Sequence, residues 1–329
     1  MSTILGTTVH PLSNLSPVIG ELAASRISQM PAYRAAQTAA PIVSRATRKG
    51  TYVRDQTYRG LDLSRAPGSV TPASLAATQY PSAGMAYNTD DYEIVRYIVD
   101  SQDVPDAELA DWLAVAGVSV EDRVASVFAD RIAAVHDYNV WQTLGATSNG
   151  FTAADPGNIT SAAFKIIAAM DTAIQTLVKA QRYVRGGDID VFIADDVYPY
   201  VQVLDEVRGR IVSGMSASST VATPDAVGAF FADYCPGARV HRVQSYYTAS
   251  SGTVTASLSG KILFQPARPG WDRSALTIAP QGDGGGVAVA SVRSERIEAM
   301  PGTRLYADGH MDVKIVDSAG AYLMHGLLS

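Results

Sequence analysis

SVEDRVASVFADRIAAVHDYNVWQTL, residues 119–144, is the stretch on which the reading of the fold turns. Ser119 is placed to cap a helix, with Asp122 three residues on, where a capping-box acid belongs. Glu121 and Asp122 favour the positive end of the helix dipole. Val120, Val124, Val127, Phe128, Ile132, Val135, Tyr138 and Trp141 recur at helical spacing and draw one apolar stripe. Gly145, followed by Ser148-Asn149-Gly150, ends the pattern. At about 1.5 Å per residue, such a helix is roughly 35–40 Å long, the span of a whole domain. It needs something broad to lie on, and the strand-like segments on either side of it predict a sheet built from both ends of the remaining chain.

The chain has 329 residues, 47% of them hydrophobic and 18% charged, which is globular composition with ample core material. A net charge of −6 argues against a protein whose affinity comes from neutralising phosphates, although it leaves room for one that encloses nucleic acid. The single cysteine, Cys235, excludes an intramolecular disulfide and a cysteine-based metal cluster. No apolar run reaches the roughly 20 residues of a membrane span, and no signal-peptide pattern opens the chain. Synthesis in a cytoplasm is the expectation.

Outward from the helix, the parts differ in kind. Residues 1–47 form a proline-spaced arm, more apolar than a solvated tail, with a short helical piece over 18–30 carrying Ile19, Leu22, Ala23, Ile27 and Met30 on one side. Such an arm is expected to order on a neighbouring surface. Residues 48–90 are a long excursion: TYVRDQTY suits a strand, RGLDLSRAPGSVTP is a turn-rich tip, and TQYPSAGMAY leads back. Loops this long are usually functional, and a hairpin reaching another subunit fits. DYEIVRYIVD reads as a strand or a short buried helix, and Asp103 or Pro105 is expected to begin a helical turn.

After the long helix a second amphipathic helix is predicted over 160–183. DIDVFIA then reads as a buried strand, a third helix is capped by Asp195 or Asp196, and Pro224 opens a fourth. ARVHRV and KILFQ read as strands, and SYYTASSGTVTASLSG as a strand pair or loop. Helices and strands alternate, as in an α/β lobe. Near the C-terminus, turns are expected at Pro301-Gly302 and Asp308-Gly309. A hairpin across 317–320 then joins MDVKIVD to AYLMHGLL.

Chemistry is not indicated. His10, His136, His241, His310 and His325 are scattered without a pair at ligand spacing. QGDGGG at 281–286 precedes a strand and does not join a strand to a helix, so it lacks the phosphate-cradling context. No G-x-S-x-G elbow and no P-loop is present. Asp195-Asp196 follows a strand, where an enzyme could hold carboxylates, but the pair reads as a helix cap. No catalytic, cofactor or metal residue is therefore assigned.

The order of parts, with VPDAELAD leading into the long helix, resembles the major capsid proteins of tailed bacteriophages, the Hong Kong 97 type of capsid fold. The resemblance covers nearly the whole chain from about Arg45. It implies an α+β fold: an N-terminal arm (1–47), an extended β-hairpin loop (48–90), a peripheral domain with a spine helix on a β-sheet (91–187), an α/β axial domain (188–290), and peripheral C-terminal strands (291–329) that pair under the spine helix. It implies a structural protein that self-assembles, as hexamers and pentamers, into an icosahedral head shell around double-stranded DNA. Assembly would occur in the host cytoplasm, the product being a virion capsid, with separate scaffolding, portal and decoration proteins as possible partners and no membrane. The name-giving member carries a scaffolding segment ahead of its arm, for which the short start here leaves no room. That member also crosslinks through a loop lysine, and no lysine lies between Lys49 and Lys165. Non-covalent contact is therefore expected, with Tyr52, Arg54, Asp55, Tyr58, Arg59, Arg65 and Tyr80 as the inter-subunit candidates. The competing expectations are an encapsulin-type compartment holding protein cargo and, from another class, an α/β hydrolase or transferase using Asp195 and Asp196 in a cleft.

Overall fold

The computed structural model describes residues 15–39, 49–58, 85–105, 120–180, 187–211, 224–248, 251–267, 274–280, 290–297 and 302–328. Helices α1 (Leu15–Gln29) and α2 (Pro31–Ala35) lead into β1 (Ala36–Ala39). Strands β2 (Lys49–Tyr58) and β3 (Met85–Glu93) pair with each other, and β4 (Val95–Pro105) precedes the long helix α3 (Val120–Gly145). Next come β5 (Thr152–Ala154), α4 (Ile166–Lys179), β6 (Ile189–Ala194), α5 (Tyr198–Val203), α6 (Asp205–Ile211), α7 (Pro224–Tyr234) and β7 (Ala238–Val243). The ribbon of β8 (Tyr246–Thr248) and β9 (Val254–Ala256) is followed by β10 (Ile262–Pro266), β11 (Ala275–Ile278), β12 (Ala290–Ile297), β13 (Gly302–Ile315) and β14 (Tyr322–Met324).

The long helix is present where its spacing predicted it, but its buried face is not one straight stripe. Val124 and Ala125 are buried, as are Phe128 and Ala129, Ile132 and Ala133, His136 and Asp137, Val140 and Trp141, and then Leu144. This repeat is four residues, while the helix turns every 3.6, so each step rotates the buried face by about 40° and the whole series by about 200°. The helix therefore faces one core with its first half and another with its second. Val124 to Ala133 pack with Ile19, Ala23 and Ile27 of α1 and with Leu305 and Ala307 of β13. Val140, Trp141 and Leu144 join the core built on β6, β10 and β14, where the Trp141 ring lies 5.3 Å from Phe192. Burying a side chain such as Phe128 contributes about 1.5–3 kcal/mol.

The first sheet runs β1-β11-β13-β12, with β4 also paired to β13. The expected turn at Asp308-Gly309 is absent: β13 runs unbroken from Gly302 to Ile315, with a register shift against β4 at Ala307/Asp308. An Asp-Gly pair is a local turn signal, but long-range pairing overrides it here and the chain bulges without turning. Asp308, 1% exposed, lies between Arg96 of β4 and Arg293 of β12, at 2.9 and 3.1 Å. Likewise β4 continues as strand through Asp103 and Pro105, where a helical turn was expected. Arg304 of β13 makes two bonds to the Asp103 carboxylate, at 2.5 and 2.7 Å. Strands β1 and β11, which pair in parallel, had no counterpart in the sequence reading.

The second sheet is mixed, in the order β5-β14-β10-β6-β7. Strand β6, held between β10 and β7, is buried at every residue, as expected of DIDVFIA. Helix α4 begins at Ile166, later than predicted. Asn158 and Ser161 accept from the amides of Thr160 and Ala163 and hold that stretch in turns. The first helical amide, of Ile166, then donates to Glu206 Oε2 at 2.7 Å, a cap supplied by α6. The C-terminal hairpin is also corrected. Asp317 accepts from the Ala319 amide across a single 3-10 turn, after which β14 enters the second sheet between β5 and β10. Strand β14 is fully buried, and its two edges are taken by β10 and β5, so it does not pair with β13 beneath the long helix. The arm differs too. Its helix begins at Leu15, and Ile19, Ala23 and Ile27 are enclosed against α3 of the same chain.

Candidate functional site

Tyr52, Arg54 and Asp90 form the root of the β2–β3 hairpin. Alternation along the two strands puts Gly50, Tyr52 and Arg54 on one face with Asp90 and Tyr92 opposite. Tyr52 packs with Tyr92, Ile94, Leu276, Ile278 and Val316 in a small core that fastens the hairpin to the first sheet. Its hydroxyl donates to the Ile315 carbonyl at 3.2 Å, with Asp90 Oδ2 3.4 Å away. Burial, and then the Asp90 charge, push the Tyr52 phenol up to about 12. Arg54 Nη1 donates to Asp90 Oδ2 at 3.2 Å. The Asp91 amide, and then Arg54, hold the Asp90 carboxyl below its usual range.

The structure thus gives Tyr52 and Arg54 partners inside their own chain. Asp55 and Tyr58 lie in β2, with side chains outside the described set. Arg59, Arg65 and Tyr80 lie outside the described residues. What sequence reasoning missed here is Asp90, the acceptor that organises the root. Its signal is the register that sets Tyr52 opposite Asp90, which requires the turn length to be known.

The carboxylates of the enzyme alternative are both held by structural partners, and neither caps α5. The residue before α5 is Val197, with no side-chain cap bond. Asp195 pairs with Arg242, whose guanidinium lies 5.0 Å from the centre of the Tyr198 ring. Asp196 accepts from the Ser259 hydroxyl at 2.6 Å and from the Gly260 amide at 3.1 Å, fixing the turn before β10. Asp190 of β6 is buried and bonded to His241 Nε2 at 2.9 Å. Among the described residues no group of three His, Cys, Asp or Glu could hold a metal ion, and no helix is long and apolar enough to cross a membrane.

The face of the first sheet turned away from α3 is a lattice of cross-strand polar pairs. Arg304 bonds Asp103, the Tyr306 hydroxyl donates to Glu295 at 2.9 Å, Arg293 lies over the Tyr306 ring, and Asp308 holds Arg96 and Arg293. Ile98, 73% exposed, lies across the register from Asp308. Each arginine of this face meets a carboxylate, so the face is near neutral and suits contact with protein better than with a polyphosphate.

No family model and no curated protein matches the chain by sequence. Solved structures match its fold over most of its length. It is similar to a phage-related protein from Bordetella bronchiseptica RB50, with a TM-score of 0.66 at 12% identity, covering 94% of this chain and 96% of that one. It is similar to the capsid of the cyanophage P-SCSP1u, with a TM-score of 0.53 at 11% identity, covering 88% and 86%. It is also similar to the holo-SrpI encapsulin complex from Synechococcus elongatus PCC 7942, with a TM-score of 0.50 at 10% identity, covering 91% and 88%. The chain has the α+β fold of phage capsid proteins.

Proposed function

We propose that the chain is a major capsid protein that assembles with copies of itself into the icosahedral head shell of a tailed phage, enclosing double-stranded DNA. The observation that carries this reading is the fold likeness to a phage capsid across nearly nine-tenths of both chains. In finer terms, α3 is the spine helix, residues 1–47 an arm and 48–90 an extended loop. Residues 91–187 and 291–329 form the peripheral domain and 188–290 the axial domain, with β14 lending its strand to the axial side. Copies associate as hexamers and pentamers, helped by scaffolding, portal or decoration proteins, and the shell is completed in the host cytoplasm. The chain's role is structural, and no catalytic residue is assigned to it. Asp55, Tyr58, Arg59, Arg65 and Tyr80 remain our candidates for contact with a neighbour.

A second reading is supported by the encapsulin likeness, that of a compartment holding protein cargo. Electron microscopy of the purified protein, with analysis of what the particles contain, tests both. Closed shells carrying nuclease-protected DNA are expected. Shells that hold a discrete protein and no DNA would favour the compartment, and a protein that stays monomeric at every concentration would remove both.

A further inference from the structure

Strands β8 and β9 form a ribbon that pairs with no third strand among the described residues. It is fixed to the second half of α3. The Tyr247 ring meets Tyr138 edge-on at 4.9 Å, Gln142 Nε2 donates to the Ser257 carbonyl at 3.2 Å, and the Ser245 hydroxyl donates to that of Ser257 at 2.9 Å. The Ser257 amide also donates to the Ser245 carbonyl at 2.8 Å. Backbone bonding alternates along an antiparallel pair, so the amides and carbonyls of Tyr246 and Thr248 point away from β9, along an open edge. The face shared by Tyr246, Thr248 and Val254 is bare as well, with Tyr246 51% and Val254 65% exposed.

Exposed edges are ordinarily blunted by charge or proline. Here neither occurs between Arg242 and Lys261, and the Tyr, Thr and Val of the ribbon suit a further strand. Such an edge fits an uncharged, β-prone segment, which would add to it through main-chain bonds. Residues 2–9, STILGTTV, which lie outside the described residues, have that character: five of the eight are β-branched and none is charged. The same chain cannot lay them there. Arg26 of α1 lies at Ser126 and Asp130 of α3, while Ala32 and Ala35 of α2 reach the core of Val140 and Trp141. Helix α1 therefore runs in the direction of α3, and its first residue, Leu15, falls roughly 25 Å short of Tyr138. Residues 10–14 would have to close that gap, and five residues extend at most about 18 Å. A second copy is under no such constraint.

We propose that in the assembled shell residues 2–9 of a second copy of this chain add a strand to the open edge of β8. This rests on the shell reading of the chain. The test follows hydrogen exchange at the amides of Tyr246 and Thr248 in the full chain, as unassembled subunit and as particle. Both amides are expected to exchange freely in the subunit and at least about tenfold more slowly in the particle. Ile4→Lys in the arm and Val254→Lys in the ribbon are each expected to raise the concentration needed for assembly about five- to tenfold, with the subunit's melting temperature unchanged. The double variant is expected to assemble no worse than the poorer of the two, because both changes cut one contact. Slow exchange already in the unassembled subunit overturns the proposal, since the edge is then covered by its own chain. So does exchange that assembly leaves unaltered, an unchanged threshold for either variant, or a double variant whose effects multiply. A wild type that forms no particles removes the shell reading and this inference together, which is a different result from particles whose ribbon stays open.

Discussion

His136 sits where the buried face of α3 passes from one core to the other, and it is wholly enclosed. Burial pushes its pKa down from 6.5 to about 4. The unfolded chain therefore takes up a proton near pH 6.5 that the folded chain refuses until about pH 4. The stability from this residue is complete above pH 6.5 and is lost as the pH falls through that window, by about 3 kcal/mol in all. Denaturant titrations at pH 7, 5.5 and 4.5 should show the decline, and His136→Leu should flatten it. A slope unchanged by the substitution would mean that other groups carry the acid sensitivity. Asp308 makes a second residue-scale prediction. Asp308→Asn removes the charge shared by Arg96 and Arg293 from a buried position in the middle strand. The loss should be about 2 kcal/mol, below that of a fully buried pair because both arginines reach solvent. Urea unfolding measures it, and a change under 0.5 kcal/mol would deny the carboxylate its role in joining three strands.

At the scale of elements, α3 is the beam on which two cores are hung. Phe128 belongs to the core of its first half and is fully buried between α1 and β13. Phe128→Ala should lower stability by about 3–5 kcal/mol, a large share of what a domain has to lose. An unchanged melting temperature would show that this half of the helix is not packed as described. The arm can be judged on the same ground. Its first helix covers α3 through Ile19, Ala23 and Ile27, and Arg26 reaches across to Asp130 and Ser126. Deleting residues 1–30 would uncover Phe128 and its neighbours, so the truncated subunit should melt earlier and bind hydrophobic dyes before any question of assembly arises. A truncated chain that melts like the full one and fails only to assemble would make the helix an accessory to neighbours.

At the scale of the whole molecule, the hairpin is rooted in the subunit by Tyr52, Tyr92 and Ile94, and the chain leaves it at Tyr58 and returns at Met85. Arg54 is already paired with Asp90, so the arginines left to meet a neighbour are Arg59 and Arg65. Replacing both with Ala should leave the subunit's circular dichroism and melting unchanged. Particle yield should fall, and the deficit should narrow as salt screens the same contacts in the wild type, because exposed pairs are worth only about 0–1 kcal/mol each. Equal particle yield at every salt concentration would remove these two arginines from the interface.

The sequence by itself determined what local chemistry controls. The spacing of residues 119–144 set the long helix, the apolar-rich run IDVFIA set an interior strand, and Pro224 set the start of a helix. The scatter of the histidines kept metal chemistry out of the reading. Tertiary structure decided whatever depends on distant partners. Asp308-Gly309 has the residues of a turn, and only Arg96 and Arg293, far along the chain, make it part of a strand. Asp195 and Asp196 have the residues of a cap, and only Arg242, Ser259 and Gly260 draw them elsewhere. Tyr52 looked available to a neighbour until Ile315 supplied its acceptor. The four-residue step along α3 stood in the sequence throughout, but Ala125, Ala129 and Ala133 are as compatible with solvent as with a core. A small apolar side chain is nearly neutral toward burial, and only the surfaces that close on it decide which way the helix faces.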